Sequence, residues 1–250
     1  MTHVLVTRPL ESSQQLADQL DALGLFPIVM PLYTFSARAP SVGLDSAWSA
    51  PGSRYLAVFT SPRAVRFGLA HIPDDRLKDL EFAAVGSATG AILESYGYPV
   101  HLQAATGYTS EDLLRIPELA ADPGDAVIFC APGGRETLAN GLKDLGWHVS
   151  NAMVYERVPL FPATEQIDAI ANADELVSIW TSVSALELAR ERLPGDAWEK
   201  ILNSPALVIS ARIQHHLQQL GATRVERAGS PGNTELLQSI LRLSGRQNIT

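Results

Sequence analysis

Residues 1–30 read MTHVLVTRPLESSQQLADQLDALGLFPIVM and contain the pattern that decides the fold. A short apolar run, Val4-Leu-Val-Thr, is followed from Glu11 to Leu23 by apolar residues at helical spacing, and then by a second apolar run, Ile28-Val-Met. Continuous apolar runs of this length are typical of strands buried on both faces. The order strand, helix, strand therefore predicts a βαβ unit with parallel strands.

The same order of elements returns along the rest of the chain. Further apolar runs, each followed within a few residues by a helical pattern, begin at Leu56, Phe82, Ala126, Leu176 and Ala206. Strands that alternate with helices in this way are typical of a parallel sheet covered by helices. The predicted fold class is α/β.

An internal repeat divides this pattern into two halves. Four groups of residues recur about half the chain later: Leu16-Ala17 with Leu20 as Leu138-Ala139 with Leu142, Tyr33 as Tyr155, Phe59-Thr60-Ser61 as Trp180-Thr181-Ser182, and Ser110-Glu111-Asp112-Leu113 as Thr234-Glu235-Leu236-Leu237. Self-similarity of this kind predicts two similar parallel-sheet α/β lobes.

Two segments are candidates for the connections between the lobes. Ser36 to Gly43 and Arg157 to Pro162 both contain proline and both follow an apolar strand that ends near a tyrosine. If each carries the chain from one lobe to the other, the first lobe is discontinuous, with residues 1–35 and 160–250, and the second lobe has residues 36–159. The repeat alone also allows a simple division near residue 125, and this alternative stays open. In either case a ligand is expected at the carboxyl ends of the strands.

Charge and composition exclude several classes of partner. The chain has 19 basic and 27 acidic residues, and this net charge of -8 has the wrong sign for a protein that neutralises phosphates of nucleic acid. No apolar stretch is long enough for a membrane span, and the first residues do not form a signal peptide. Cys130 is the only cysteine, which fits a reducing compartment. We expect no nucleic-acid or membrane partner, a cytoplasmic location and a monomer.

Motifs of familiar catalytic sites are missing from the sequence. No GxGxxG follows a strand, and Gly133-Gly134-Arg135 has neither the spacing nor the lysine of a P-loop. The turn Gly86-Ser87-Ala88-Thr89-Gly90 lacks the central serine of GxSxG, so no nucleophile elbow is predicted. No pair of histidines forms HExxH, so no metal site is predicted. We interpret Glu111, Asp112 and Glu235 as residues that cap or begin helices.

Five of the predicted strands end in small hydroxyl-bearing or glycine residues that begin the next helix. Helix N-termini present free N–H groups, and together with Ser and Thr hydroxyls they can bind anions. Each hydroxyl has the alternative role of a helix cap, and that alternative stays open. Arg8 is the arginine best placed to bind a carboxylate, with a surface position as its alternative. The candidate binding residues are Arg8, Thr60, Ser61, Ser87, Thr89, Thr181, Ser182 and Ser210.

Tyr155 is the candidate catalytic residue. It ends the apolar run Ala152-Met-Val-Tyr, at the start of a candidate connection between the lobes. Its hydroxyl is either a packed group with a hydrogen-bond partner or a proton donor at a binding site. Its repeat partner Tyr33 has the same predicted position.

Taken in order, these residues resemble the uroporphyrinogen-III synthase family, and the resemblance spans essentially the whole chain. It implies two α/β lobes joined by a two-stranded linker, with the first lobe discontinuous. The resemblance rests on Val4-Leu-Val-Thr-Arg-Pro9, Phe59-Thr-Ser-Pro-Arg-Ala-Val65, Val85-Gly-Ser-Ala-Thr89, Gly133-Gly-Arg-Glu-Thr-Leu138, Val154-Tyr-Glu-Arg157 and Thr181-Ser-Val-Ser-Ala-Leu186.

The resemblance also implies an activity. The family is a class of lyases that use no cofactor and cyclise hydroxymethylbilane to uroporphyrinogen III, with loss of water and inversion of ring D, in tetrapyrrole and haem biosynthesis. It assigns the family's cleft tyrosine to Tyr155, the threonine of its VGxAT turn to Thr89 and a strand-end serine to Ser182. Where some members have Gly-Pro-Thr-Thr, this chain has Ser210-Ala-Arg-Ile213, so the roles of those threonines do not carry over.

Two other functions stay open on the sequence alone. A two-lobed intracellular binding module for a small anionic ligand, without catalysis, has the same hydroxyl pattern. A sugar or nucleotide-sugar enzyme predicts catalytic carboxylates or a diphosphate loop, which are missing here. A transient contact with the deaminase that supplies the bilane is a further expectation of the synthase hypothesis.

Overall fold

The structure, a computed structural model, describes residues 1–48, 54–105, 107–133, 136–230 and 232–246. Within the motif that begins at Gly133, Gly134 and Arg135 lie outside the described residues, as do residues 247–250 at the end of the predicted first lobe. The chain divides into two compact units: Met1–Thr34 with Val158–Thr250, here called lobe 1, and Phe35–Arg157, here called lobe 2.

Strands and helices alternate along the described chain. The strands are β1 (Thr2–Val6), β2 (Phe26–Val29), β3 (Tyr33–Ala37), β4 (Tyr55–Phe59), β5 (Leu80–Ala84), β6 (Leu102–Gln103), β7 (Asp125–Cys130), β8 (His148–Met153), β9 (Tyr155–Pro159), β10 (Glu175–Trp180), β11 (Ala206–Val208) and β12 (Val225–Arg227). The α-helices are α1 (Leu10–Ala22), α2 (Leu44–Ala47), α3 (Pro62–Gly68), α4 (Asp74–Leu77), α5 (Ser87–Ser95), α6 (Ser110–Leu114), α7 (Glu118–Ala121), α8 (Thr137–Asp144), α9 (Thr164–Ala171), α10 (Val183–Arg192), α11 (Gly195–Leu202), α12 (Ala211–Gln219) and α13 (Asn233–Leu243).

Lobe 1 is built on a parallel sheet in the order β12-β11-β10-β1-β2. Val4 and Val6 of β1 are fully buried, together with Leu16 and Leu20 of α1. These two leucines lie four residues apart and therefore share one face of the helix. After Leu23 the chain leaves the helix at Gly24, whose φ of 68° favours glycine. The βαβ unit predicted from residues 1–30 is therefore the central unit of this lobe.

Lobe 2 has a second parallel sheet, in the order β6-β5-β4-β7-β8. Alternate residues of β4 enter two different cores: Phe59 packs with Phe82 and Phe129, whereas Leu56 and Val58 pack in the other cluster. Since successive side chains of a strand point to opposite faces, both faces of this sheet are covered.

The residues behind the carboxyl end of β4 are packed closely. The rings of Phe59 and Phe129 stack with their centroids 4.6 Å apart. A Cβ atom on Gly68, at the end of α3, would lie 2.7 Å from Cδ1 of Phe129, so only glycine allows α3 to approach the sheet this closely. This packing holds α3 against the sheet, and Ser61 caps the start of the same helix.

The segments where the chain passes between the units form a separate sheet of two strands, β3 and β9. They overlap the proline-containing segments singled out in the sequence. The predicted fold class is confirmed: two parallel-sheet α/β lobes, the first discontinuous, with a two-stranded linker. Over the described ranges, no helix combines the length and the apolar character that crossing a membrane requires.

Candidate active site

Lobe 2 contains a pocket of about 470 Å³ at the carboxyl ends of its strands. Thr60 and Ser61, which follow β4, line it together with Cys130 at the end of β7, Met153 at the end of β8 and Tyr155 at the start of β9. The carboxyl ends of parallel strands are the usual place for a ligand in an α/β sheet. Three of the residues predicted from the sequence, Thr60, Ser61 and Tyr155, are brought together here.

The hydroxyls of Tyr155 and Ser61 form a hydrogen bond of 3.0 Å, in which either oxygen can be the donor. Ser61 is the N-cap of α3, and its Oγ accepts the N–H of Ala64 at 3.1 Å. Since this contact uses a lone pair of the serine, the serine proton is still able to point at the phenol oxygen. In that arrangement the proton of the Tyr155 hydroxyl points away from Ser61.

Aromatic side chains hold the ring of Tyr155. Phe67 stacks on it with a centroid distance of 5.7 Å, and Phe35 packs against it edge-on at 5.9 Å. Only 8% of Tyr155 is exposed. Sequence reasoning missed both phenylalanines. A signal for Phe35 was present, because residues two apart on a strand lie on the same face and Phe35 follows Tyr33 by two.

Of the other lining residues, Thr60 is held by a hydrogen bond to the backbone and Cys130 is partly buried. The Thr60 hydroxyl donates to the carbonyl of Phe129 at 3.0 Å, so its oxygen is left as an acceptor. Burial raises the pKa of the Cys130 thiol. A thiol with a raised pKa is protonated at neutral pH and is a weak nucleophile, so Cys130 contributes shape to the pocket and not a thiolate.

Ser87 and Thr89 are located at the start of α5 and do not line the pocket that contains Tyr155. Ser87 is exposed, whereas Thr89 is buried, with 3% of its surface exposed. The structure therefore places these two predicted residues on a neighbouring helix of lobe 2, apart from Thr60 and Ser61.

Lobe 1 repeats the tyrosine and serine contact. The Tyr33 hydroxyl lies 3.3 Å from Oγ of Ser182, and either oxygen can donate. Ser182 is the N-cap of α10 and accepts the N–H of Ala185 at 3.1 Å, as Ser61 does for α3. Thr181 precedes it, directly after β10. The repeat seen in the sequence thus extends to this hydrogen bond, and Tyr33 is a site candidate that the sequence-based list leaves out.

Ser210 caps helix α12 in the same way, because its Oγ accepts the N–H of Ile213 at 3.3 Å. Helix capping, the alternative role considered for these hydroxyls, is therefore present at Ser61, Ser182 and Ser210. A capping serine keeps its own O–H as a donor. Capping and binding of a ligand oxygen are compatible.

Arg8 follows β1 and is half-buried in lobe 1. Its Nη1 donates to the side-chain oxygen of Asn233, the first residue of α13, at 2.8 Å. Burial lowers the pKa of Arg8 from its ordinary value, although a guanidinium remains charged at neutral pH. Since Asn233 is neutral, this contact orients the guanidinium without neutralising it. Arg8 makes no ion pair with a carboxylate in the described part of the chain.

The structure also bears on the acidic residues and on metal binding. Thr109 and Asp112 form a reciprocal capping box at the start of α6, which confirms the interpretation of Asp112 as a helix-capping residue. Among the described residues, no three His, Cys, Asp or Glu side chains are grouped so that they could hold a metal ion.

A family model described as "Uroporphyrinogen-III synthase HemD" matches residues 14–238. The chain belongs to the uroporphyrinogen-III synthase family. The predicted family is confirmed, and with it the prediction of an enzyme, a lyase of haem biosynthesis. Membership of a family of synthases does not favour the alternative of a binding module without catalysis.

Similar proteins of known name and structure agree with the family. The uroporphyrinogen-III synthase of Escherichia coli K12 is 26% identical over 245 residues, which cover 95% of this chain and 99% of the relative. That of Salmonella typhimurium LT2 is 26% identical over 250 residues, with the same coverage.

Two solved uroporphyrinogen III synthases have a similar fold. The one from Helicobacter pylori has a TM-score of 0.65 at 18% identity, and the match covers 97% of this chain and 100% of that one. A mutant of the enzyme from Thermus thermophilus has a TM-score of 0.59 at 20% identity, over 99% of this chain and 100% of that one. At this level of identity the likeness concerns the fold.

Proposed function

We propose that the protein converts hydroxymethylbilane into uroporphyrinogen III, with loss of water and inversion of ring D, and that Tyr155 is its proton donor. The observation that carries the proposal is the hydrogen bond between Tyr155 and Ser61 in a strand-end pocket of lobe 2. A chain of this family requires a weak acid at such a place, because the substrate must lose a hydroxyl group.

The first step breaks the bond between the hydroxymethyl carbon and its oxygen, and the electron pair leaves with the oxygen. The phenol proton of Tyr155 moves to that oxygen, so the leaving group departs as water. The pyrrole nitrogen that donates electrons stabilises the resulting cation. Ser61 donates a hydrogen bond to the phenol oxygen and thereby stabilises the negative charge that forms there.

The enzyme must also favour one of two possible ring closures. Ring D attacks through its substituted carbon, a spiro intermediate forms and fragments, and the ring recloses in the inverted sense, whereas closure without the enzyme gives the isomer that is not inverted. A thousandfold preference needs about 4 kcal/mol between the two transition states. Hydrogen bonds and charges that hold the rings in one geometry can supply this difference.

In our proposal the other predicted residues bind the substrate and hold its rings in the geometry that leads to the inverted closure. Arg8 is a carboxylate-binding residue, since its guanidinium is oriented by neutral Asn233. Thr60, Thr181, Ser182 and Ser210 supply hydroxyls at strand ends, and the last two accept a backbone N–H as helix caps, which leaves their own O–H groups as donors. Ser87 and Thr89 also remain proposed substrate-binding residues. Thr89 is buried in lobe 2.

The proposal extends to the setting of the reaction. The single cysteine and the net charge of -8 favour a monomer in the reducing cytoplasm. The bilane would be received from the deaminase that makes it through a transient contact. Sedimentation of the purified protein tests the monomer: a single species of 26.9 kDa is expected, and a stable dimer would contradict it.

The activity is tested by generating hydroxymethylbilane in situ, adding the purified protein, oxidising the products and separating isomers I and III by chromatography. Predominantly isomer III is the expected result. The matched control is the same mixture with heat-denatured protein, which should yield isomer I. An unchanged excess of isomer I with folded protein would overturn the proposal and favour a binding module for an anionic ligand.

A further inference from the structure

Two arginines of lobe 2 surround the phenylalanine that packs on Tyr155. The guanidinium carbon of Arg63 lies 4.0 Å from the ring centroid of Phe35, and that of Arg157 lies 5.9 Å from the same centroid. Arg63 belongs to the turn that also carries Ser61, and Arg157 follows Tyr155 by two residues on β9. One aromatic ring thus brings two positive charges next to the proposed proton donor.

Arg63 has a hydrogen-bonding capacity that the described chain does not use. Its Nε is buried and has no hydrogen-bond partner there, and its guanidinium makes no ion pair with a described carboxylate. Contact with the Phe35 ring holds the guanidinium plane but accepts none of its N–H groups in the plane. Buried donors in native proteins are nearly always paired, so this unpaired Nε marks Arg63 as a guanidinium for which the described chain supplies no acceptor.

Beside Phe35 lies a second pocket of lobe 2, of about 450 Å³, lined by Phe35, Tyr155, Glu156 and Arg157. Arg157 lines this pocket itself, whereas Arg63 adjoins it through its contact with the Phe35 ring. It shares Tyr155 and the turn Ala131 to Gly133 with the pocket that contains Ser61. Glu156 brings a negative charge to this pocket, but adjacent residues of a strand point to opposite faces, so Glu156 and Arg157 do not occupy the same side of β9. Tyr155 therefore stands between a pocket lined by hydroxyls and one bordered by arginine.

We propose that Arg63 and Arg157, held around Phe35, form a subsite for a carboxylate side chain of the pyrrole that lies next to Tyr155. A guanidinium binds a carboxylate through two parallel N–H bonds, which fix the orientation of the ligand as well as its position. The ring that carries the bound carboxylate is thereby held at a set distance from the Tyr155 hydroxyl. This inference rests on the proposed function, since it takes the polycarboxylate bilane as the ligand.

The test compares Arg63→Gln and Arg157→Gln with Arg66→Gln, an exposed arginine in the last turn of the same helix α3. Loss of a charged hydrogen bond to a carboxylate is expected to raise KM for hydroxymethylbilane about 10- to 100-fold in the first two variants. Their kcat is expected to change less than KM, because Tyr155 and Ser61 are intact. The control should stay within about twofold of the parent. Arg63→Lys keeps the charge but not the planar fork, and an intermediate KM is expected.

A second readout does not depend on turnover. Binding of the reduced product, uroporphyrinogen III, is measured by equilibrium dialysis under nitrogen, with thermal unfolding of each variant to establish that it is folded. Weaker binding by the Arg63 and Arg157 variants than by the Arg66 control supports the subsite. Equal binding and equal KM in all three would overturn it while leaving the synthase proposal intact, provided the parent forms isomer III. Failure of the parent to form isomer III would overturn the synthase proposal, and the dialysis result would still decide the subsite.

Discussion

The two lobes contain the same hydrogen bond in different surroundings. In lobe 2 the Tyr155 and Ser61 oxygens are 3.0 Å apart, and in lobe 1 those of Tyr33 and Ser182 are 3.3 Å apart. Both serines cap a helix that follows a central strand. Yet Tyr155 lines both pockets described above, and Tyr33 lines neither. The repeat thus has the same hydrogen bond in both lobes, but the pair of lobe 2 borders the two pockets on which our proposal rests.

The neighbours differ in charge as well. The turn after β4 reads Ser61-Pro-Arg-Ala, whereas the repeated turn after β10 reads Ser182-Val-Ser-Ala, so a serine occupies the place of Arg63. Lobe 2 thus has a cation and two phenylalanines around its tyrosine. In our proposal this difference is the reason for placing the chemistry in lobe 2.

Removal of the serine hydroxyl should lower kcat in lobe 2 but not in lobe 1. Ser61→Ala and Ser182→Ala each lose a helix cap, and both should lower the free energy of unfolding by about 1 kcal/mol. Only Ser61→Ala also removes the partner of the proton donor, so its kcat should fall about 10-fold, while Ser182→Ala changes kcat by less than about threefold. Denaturant unfolding and steady-state kinetics measure the two effects.

Ser61→Thr is the rescue control, because threonine retains both the hydroxyl and the cap. It should recover most of the turnover that alanine loses. Equal losses of kcat in the two alanine variants would mean that both pairs serve the reaction or that neither does, and would remove the distinction between the lobes.

A smaller effect, on thermal stability, is expected at the N-terminus of α6, which corresponds to the N-terminus of α13 in the repeat. In lobe 2, Thr109 caps α6 through Asp112, whereas in lobe 1 the corresponding Asn233 binds Arg8, and α13 has Gly232 at its cap with no side-chain bond. Thr109→Ala should lower Tm by about 2 to 4 °C at pH 7.

The same variant has a predictable pH dependence. Hydrogen bonds from Thr109 lower the pKa of the partly exposed Asp112 carboxyl below its ordinary value. A carboxyl with a lowered pKa in the folded state contributes stability above its unfolded pKa of about 3.9, and that contribution is lost as the pH falls through the folded pKa. The Tm difference between parent and Thr109→Ala should therefore shrink below about pH 4. A difference that grows in acid would contradict this role of Asp112.

The sequence was sufficient for the elements and their order because burial on both faces of a parallel strand leaves an unbroken apolar run. The runs that begin at Val4, Leu56 and Ala126 correspond to β1, β4 and β7. Each strand starts one or two residues earlier, because backbone pairing with the neighbouring strand continues past the apolar run. The two-stranded linker came from the family resemblance and not from periodicity.

The site was only partly accessible from the sequence. Strand-end hydroxyls can be found because they stand at a fixed place relative to an apolar run, and two of those singled out in this way, Thr60 and Ser61, line one pocket with Tyr155. The contact between Arg63 and Phe35 could not be found in this way, because a contact between residues 28 positions apart depends on packing that a local pattern does not contain. The burial of Thr89 is a tertiary property of the same kind.

The most direct measurement of the assignment compares Tyr155→Phe with Tyr33→Phe under the same conditions, by kcat and by the fraction of isomer III. Each substitution removes one hydroxyl and leaves the ring in place. A proton donor contributes roughly 100-fold or more, so kcat of Tyr155→Phe should fall by at least about that factor, while Tyr33→Phe stays within about threefold of the parent. Equal kcat values for the two variants, or a larger loss in Tyr33→Phe, would contradict the assignment of the chemistry to lobe 2.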